Sequence, residues 1–499
     1  MLTVQEIRTF LDQDAASPKK QLAKVGQRYY DGDHDIRNFR VFFVDADGKL
    51  KEDTYRSNIK ICHPFFIELV DQEVQYMLSG KEGFVRSDNP DLQEELDAYF
   101  NDNEDFTSEL YDILTGCVAK GFEYAYAYKN AEGRTSFQCA DSLGVVEIEA
   151  KDASDGRDHV LYCYTERRGK DNKSIRHIQD WDAEYAYFYK QEDGGEIEPD
   201  NCIVDNEGNT GNARPHALFT KGNSKKKFIE AFGFIPFFRI DNNKKQISGL
   251  KAIKEQIDDY DLMSCGLSNN IQDTNEALYV VRGFEGDNLD ELMMNIKAKK
   301  HIGVDDDGGV EIKTVDIPYE ARKIKMEVDE KNIFRFGMGV NTESLKDTSA
   351  TTSIAIKSAY SLLDLKCNKL EIRLKQFMRK LLNIVLAEIN EENGTDYQQS
   401  DVYFSFEREI ITNAQENAQI ALTEAQKRQT EITTLLDLKT HLDDETVMQL
   451  ICEQLEIDYN EIKDKLPKSD EDILMAQDAL DAAKVDDEGA ESGGGDVIE

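Results

Sequence analysis

The sequence predicts an α+β chain, and three observations predict it. Residues 121–240 alternate apolar and polar residues in short runs such as FEYAYAYKN, GVVEIEA and HVLYCYTER, the period-two signature of half-buried antiparallel strands. Residues before and after that block repeat apolar positions every three to four residues, the signature of amphipathic helices. The helices are segregated from the strands along the chain, which favours α+β over an alternating parallel fold.

In order, residues 3–24 read as a helical pair broken at Ala16-Ser17-Pro18. RNFRVFFVDADGKLKEDT reads as a hairpin turning at Asp47-Gly48. Asn58–Leu78 reads as a helix on the spacing of Ile61, Phe65, Leu69, Val74 and Met77, and another helix follows near Phe106–Ala119. After the strand block, Asn242-Asn243 leads into a helix from about Ser248 to Ala277. Leu250, Ile253, Ile257 and Tyr260 line its packing stripe, with Asp258, Asp259 and Asp261 expected off it. Short strands and a short helix fill 278–316, with Asp305–Gly309 as an exposed turn. Pro318 then opens a helix to about Phe336. The longest helix runs from Ser353 to about Ile389. Its seam of Tyr360, Leu363, Cys367, Leu370, Leu374, Phe377 and Leu381 repeats near 3.5 residues. More helices and an acidic tail complete the chain.

The 499 residues allow two to four domains at roughly 150 residues each. A net charge of −39 excludes a protein that wraps nucleic acid with a basic surface, while leaving one that lets nucleic acid slide past. Eight scattered cysteines without a C-x-x-C pair suggest buried thiols in a reducing cytoplasm. The N-terminus lacks the basic and apolar regions of a signal peptide, and no apolar run is long enough to span a membrane, so neither export nor membrane insertion is expected.

Chemistry-bearing motifs are few. No G-x-x-x-x-G-K-[ST] loop is present, and Gly337-Met338-Gly339 lacks the third glycine and the preceding strand of a dinucleotide loop. Asp31, Asp33 and Asp35, and separately Asp45 and Asp47, alternate like calcium ligands but lack the glycine and glutamate of the calcium loop, so solvated turns are the expectation. Seven dispersed histidines show no metal-ligand spacing, and no G-x-S-x-G elbow marks a nucleophile. No metal or other cofactor, and no enzymatic activity, is expected.

The long helix is the electrostatic exception. Between Ser353 and Leu382 it carries seven basic residues against two acidic ones. Lys357, Lys366, Lys369, Arg373, Lys375 and Arg379 are therefore either a solvated helix face or contacts to an acidic neighbour, another subunit or a nucleic-acid backbone.

Four runs carry a family resemblance: Tyr29-Tyr30-Asp31-Gly32-Asp33-His34-Asp35-Ile36; Asn58–Gln72 with Tyr76–Gly80; Gly233–Phe237 with Asn242-Asn243 and Leu250–Asp261; and Ser353–Tyr360 with Leu363 and Lys366. In order and spacing, over about residues 20–390, the chain resembles the portal proteins of tailed bacteriophages, particularly the long-tailed type common in Gram-positive hosts. The resemblance implies a ring, usually of twelve copies, at one capsid vertex of the virion, through which a separate terminase drives double-stranded DNA. Implied partners are the chain itself, that DNA, the terminase large subunit, a head-tail adaptor, and the major capsid and scaffolding proteins, with no membrane. It also implies a named architecture: a mixed α/β wing (1–240), stem helices (241–277 and 317–337) around a small clip (278–316), a tunnel loop (338–352), a long wing helix and strand (353–410), a helical crown (411–485) and a disordered acidic tail (486–499). The loop residues expected at the DNA channel are Asn341, Thr342, Glu343, Ser344, Lys346, Asp347, Thr348, Ser349, Thr351 and Thr352, although the glycine expected near the following helix start is missing. Two other classes stay open at this point: a capsid or adaptor protein without a channel, and a soluble enzyme with an unrecognised carboxylate site.

After Pro467 the chain holds eleven acidic and two basic residues, and beyond about residue 485 it is Gly-rich, acidic and without an apolar stripe, ending in ESGGGDVIE. Truncation after Lys484 is expected to leave folding and assembly unchanged. Circular dichroism and size-exclusion chromatography check this; aggregation of the shortened chain would show that the tail docks on folded structure.

Overall fold

A computed structural model describes residues 1–45, 47–54, 56–80, 83–150, 156–168, 173–204, 209–219, 228–274, 278–284, 304–313, 318–341, 353–408, 422, 426–427, 429–435 and 444–454. The chain divides into two units, Met1–Ile410 and Ile411–Glu499. The fold is α+β, and the first unit is built in four layers.

Helix α1 (Val4–Ala16) starts at a capping box in which Thr3 and Glu6 satisfy each other's backbone N–H groups, and Ser17 caps α2 (Pro18–Tyr30) with proline at its first position. Strands β1 (Phe42–Val44) and β2 (Leu50–Glu52) form the expected hairpin, turning through Gly48 at φ 77°. The helix expected from Asn58 begins only at Phe65: α3 spans Phe65–Met77. Pro64 supplies no amide hydrogen to a helix running through it, so the preceding residues leave the helical path. The short strand β3 (Val85–Arg86), α4 (Pro90–Leu96) and α5 (Glu104–Lys120) follow. Gly121, at φ 99°, ends α5 in the left-handed region and turns the chain straight into β4 (Phe122–Lys129).

β4 lies between β5 (Thr135–Ala140) and β16 (Phe237–Asp241) in an antiparallel three-stranded sheet. A second sheet runs β6 (Val145–Glu149), β7 (Arg157–Arg168), β8 (Lys173–Trp181), β9 (Tyr185–Glu192) and β10 (Ile197–Pro199). Small pairs β11 (Ile203–Val204) with β12 (Thr210–Gly211) and β14 (Ala217–Phe219) with β15 (Phe228–Glu230) lie beyond it. β13 (Ala213–Pro215) pairs with β9, and β16 (Phe237–Asp241) returns to β4.

The period-two pattern of β4 explains the layering. Ala125 and Ala127 face a core made with α3, α5 and the long helix, while Phe122, Tyr124 and Tyr126, together with Phe237 of the neighbouring strand, face the second sheet through Val145, Val160 and Trp181. The outer face of the second sheet presents Val146, Ile148, Leu161, Ile178 and Tyr189 to Ile7 and Leu11 of α1. The order is therefore helices, sheet, sheet, helix, each interface filled by apolar side chains.

After β16 the expected helix from Ser248 is split. Gly249–Ala252 forms one tight turn, and α6 runs Lys254–Thr274. β17 (Leu278–Phe284) and β18 (Val304–Lys313) pair antiparallel. β18 contains Asp305–Gly309, expected as a turn: Gly309 pairs with Arg282 and, across a register irregularity, Val304 pairs with Phe284, so the strand continues through the acidic run. Helix α7 (Tyr319–Gly337) ends at Met338 in the left-handed conformation. Close packing, not nucleotide binding, accounts for Gly339, since a Cβ there would strike Leu69. The long helix, α8 (Ser353–Asn393), is about 60 Å in length and buries its seam from Leu363 to Ile389. β19 (Tyr403–Phe404) pairs with β3. In the second unit α9 (Asp444–Gln454) buries Val447, Ile451 and Cys452. The short helix expected within 278–316 and the tail lie outside the described residues. No helix among the described residues is long and apolar enough to cross a membrane.

The N-terminus is fixed to the second sheet by Asp180, which is fully buried. One of its oxygens accepts from Leu2 N at 2.9 Å, and the other lies 2.6 Å from His159 Nδ1. That hydrogen bond raises the His159 pKa above its ordinary 6.5 against the opposing effect of burial. A raised histidine contributes stability that is complete below the ordinary value and lost as pH rises through the higher folded value. Amide-exchange protection of residues 2–12 should therefore be greater at about pH 6 than at about pH 9, after correction for intrinsic exchange, and His159→Gln should abolish the difference. Equal protection at both pH values in the unaltered chain would refute this.

Candidate assembly site: helices α6 and α7, the crossing segment and the long helix

Helix α6 carries a row of small polar side chains four residues apart: Asp261, Cys265, Asn269 and Asp273. They form one ridge of the helix, each about 6 Å above the last. The segment Ser57–His63 runs along this ridge in the opposite direction. Ser57 N donates to Asp273 Oδ1 at 3.1 Å, Ile59 N to Asn269 Oδ1 at 2.7 Å, Ile61 N to Cys265 Sγ at 3.1 Å and His63 N to Asp261 Oδ1 at 3.0 Å. Every second amide meets every fourth helical side chain. The match is geometric, because two extended residues span about 6.6 Å and four helical residues rise about 6 Å. A segment without strand or helix thus satisfies its alternate N–H groups as a strand would.

Asp261 was expected off the packing stripe, but it is fully buried. A lone buried carboxylate is costly, and here it is surrounded by donors. His34 Nδ1 lies 2.6 Å from Oδ2, and His63 contributes Nδ1 at 2.7 Å as well as its backbone amide to Oδ1. Burial alone would raise the Asp261 pKa, yet the hydrogen bonds from His34 and His63 hold it below the usual carboxylate range. Tyr29 stacks on the His34 ring at 4.5 Å and donates its hydroxyl to Asp258. Lys254 bridges Asp258 and Asp35, each at 2.6 Å, and Arg28 holds Asp35 from the other side at 2.5 Å. Asp35 is accordingly depressed to about 2, its lysine and arginine partners outweighing burial. Asp33 and Asp35 therefore face cations of the chain itself. Asp45 accepts from the amides of Asp47 and Lys49 within its turn and pairs with Lys51, so it too is a turn former.

The expected stem residues occupy the base of the helix pair. Leu250, Ile253 and Ile257 are buried in the main core of their own chain, and Tyr260 packs edge-on against Phe65 at 4.9 Å and His63 at 4.7 Å. Phe65 reaches Phe334 of α7, and Lys325 joins Asp259 of α6 to Asp329 of α7. Farther along α6, Ile271 is half exposed. On α7, Ile324 and Val328, one turn apart, face outward.

The basic residues of α8 divide. Lys366 pairs at 2.8 Å with Glu73, a fully buried carboxylate of α3, and Lys375 pairs with Glu371 one turn away. Both are held within the chain. Lys369 and Arg379 are exposed and Arg373 is half-buried, whereas the side chain of Lys357 lies outside the described residues. Beside Lys369 an apolar stripe is open: Leu362, Leu365 and Ile372 are 41%, 55% and 62% exposed. Of the expected channel loop, Asn341 donates to Glu330 at 2.9 Å. Thr342, Glu343, Ser344, Lys346, Asp347, Thr348, Ser349, Thr351 and Thr352 lie outside the described residues.

Sequence reasoning missed the crossing segment and the Asp261 cluster. The signals were Pro64, which stops a helix, and the D-x-x-x-C-x-x-x-N-x-x-x-D row on α6.

The sequence profile of phage portal proteins of the SPP1 Gp6-like type matches residues 13–461. A portal protein of Bacillus phage SPP1 is 25% identical over 397 residues, covering 79% of this chain and 75% of that protein. A portal protein of Clostridium phage phiCD119 is 23% identical over 485 residues, covering 93% of this chain and 98% of that protein. A solved chain from the neck of an empty GTA particle, computed with C6 symmetry, covers 78% of this chain and 90% of itself at 11% identity. Its TM-score of 0.39 is too low to constrain the fold.

Replacing Asn269 with Ala removes the acceptor for the partly buried Ile59 amide and should destabilise the first unit by about 1–3 kcal/mol in denaturant unfolding. Ile257→Asp places a charge inside the core and should cost several kcal/mol, giving insoluble or unfolded chain. A soluble, folded Ile257→Asp monomer would place that position at a surface between chains instead.

Proposed function

Because the chain belongs to the SPP1 Gp6-like family of phage portal proteins, we propose that its copies assemble into a ring at one capsid vertex and form a passive conduit for double-stranded DNA during packaging and ejection. The same ring would dock a terminase on one side and head-tail connector proteins on the other. Phage portal proteins are structural components of the virion, and the chain is read as having no catalytic role of its own.

The observation that carries the assembly reading is the β1–β2 hairpin. All six strand residues are exposed, including Phe42, Phe43, Val44 and Leu50 at 40–67%. Consecutive strand residues point to opposite faces, so the ribbon is apolar on both sides. An isolated two-stranded ribbon is marginal in water, and exposed apolar patches of this kind mark interaction surfaces. A neighbouring copy would cover the hairpin, and the stripe Leu362–Leu365–Ile372 on α8 offers a second surface of the same character.

The charge supports the conduit. At −39 per chain, a ring repels phosphate over roughly a Debye length of about 10 Å and binds DNA weakly, as a sliding cargo requires. Within residues 338–352, hydroxyl and amide side chains would offer weak contacts to phosphate oxygens, with Lys346 adding one salt-sensitive attraction. The chain carries no P-loop sequence, so the work of translocation is assigned to the terminase.

Negative-stain images of the purified protein should show annular particles with a central hole; compact monomers at all concentrations would overturn the proposal. A capsid adaptor without a channel would give closed or irregular particles instead. The double variant Phe43→Asp/Leu50→Asp should give folded monomers with unchanged circular dichroism. Lys346→Glu should leave rings intact and reduce packaged DNA in infected cells, and normal packaging would remove that loop from the mechanism.

A further inference from the structure

The outer side of α8 keeps cations without acids. Lys366 and Lys375 are paired within the chain, but Lys369, Arg373, Arg379 and Lys380 make no ion pair among the described residues. At about 100° per helical residue, these four and the exposed Leu362, Leu365 and Ile372 fall within a sector roughly 120° wide. Asp364 and Glu371, the acids of the same stretch, lie off that sector and are both taken by Arg408. The face is therefore positive throughout, with apolar side chains set between the charges.

Residues 88–112, spanning α4 and α5, carry the opposite charge. They hold ten acidic and no basic residues. Asp88, Asp91, Glu94, Asp102, Asp105 and Asp112 are exposed, and none of the acids in this stretch has an ion-pair partner among the described residues. The helix dipole accounts for Asp91 and Asp105, which stand in first turns. It does not account for Glu94 or Asp112, which stand beyond them.

We infer that the cationic face of α8 docks on the acidic α4–α5 surface of a neighbouring copy of the chain. The inference rests on the ring assembly proposed above and names the two surfaces that meet in it. A closed ring joins subunits head to tail, so each contact needs two different patches of one chain that complement each other. The unpaired cations and the unpaired acids are such patches, and within the chain they do not pair with one another. At −39 each, copies repel over their surfaces as a whole, and assembly requires local attraction that offsets the repulsion. Opposed patches of this kind also fix register and reject wrong pairings. Leu362, Leu365 and Ile372 would exclude water around the ion pairs, which strengthens them. A DNA phosphate backbone would leave these three side chains in water, so nucleic acid fits the face less well.

The test reverses each patch in the full chain. Lys369→Glu/Arg379→Glu and Glu94→Lys/Asp112→Lys alter exposed residues, so both variants should keep the circular dichroism of the unaltered chain. Each alone should fall to monomers in sedimentation and in negative-stain images, with assembly weakened more than about tenfold. Mixed together they should form rings again, because each reversed patch then meets an unreversed patch of opposite sign. One readout needs no variant. Carbodiimide coupling of rings built from unlabelled and ¹⁵N-labelled chains should join Lys369 or Lys380 to carboxylates of residues 88–112 in peptides that combine the two labels. Normal rings from either variant, a mixture that stays monomeric, or coupling of these lysines only to acids elsewhere would overturn the inference and leave the ring standing. Intact Lys369→Glu/Arg379→Glu rings that package less DNA would overturn it in favour of a nucleic-acid contact. Absence of rings from the unaltered chain would overturn the assembly reading and this inference with it.

Discussion

A buried carboxylate organises this chain. Asp261 sits on α6 at a position without solvent, and its charge is tolerated only because His34, His63 and the His63 amide converge on it. The donors come from two local structures: a turn after α2, which supplies His34, and the crossing segment, which supplies both the side chain and the backbone of His63. Fixing Asp261 therefore fixes where three parts of the sequence meet. The remaining rungs at Cys265, Asn269 and Asp273 extend that junction along the helix, and Lys254, Asp35 and Asp258 brace its base.

The layers of the first unit give this junction something rigid to attach to. β4 is buried on both faces, so the helices on one side and the second sheet on the other share a strand that cannot shift register without moving side chains into the wrong core. Helix α8 lies against the same core over most of its length, and Lys366 reaches across to the buried Glu73 of α3. What the chain leaves uncovered is equally informative. The β1–β2 hairpin, the outer side of α7 and the α8 stripe keep apolar side chains in water, the surfaces that the proposed assembly would cover.

The basic helix shows how the same residues read differently in sequence and in space. As a string, seven cations on one long helix suggest a surface for an acidic partner. In the fold, Lys366 and Lys375 already face carboxylates of their own chain, while Lys369 and Arg379 remain at the surface. The acidic turns behave likewise: Asp33 and Asp35 answer to arginine and lysine, and Asp45 to its own turn. Charge counting locates such residues but does not pair them, because the pairing is across space and sequence separation says nothing about it.

The sequence by itself determined the local periodicities. Period two across residues 121–240, the seam of α8, the Ser17-Pro18 break and the Asp47-Gly48 turn are properties of neighbouring residues, and each appears where its pattern placed it. Order and spacing of short runs also sufficed for the family. Only the tertiary structure decided that Asn58–Pro64 abandons the helix whose apolar spacing it partly shares, that Asp305–Gly309 continues a strand, and that Asp261 lies inside rather than outside. The reason is physical. A propensity is set by a residue and its neighbours, whereas a backbone amide or a carboxylate takes whichever partner the whole chain brings within hydrogen-bonding distance. On α6 those partners lie about two hundred residues away in sequence.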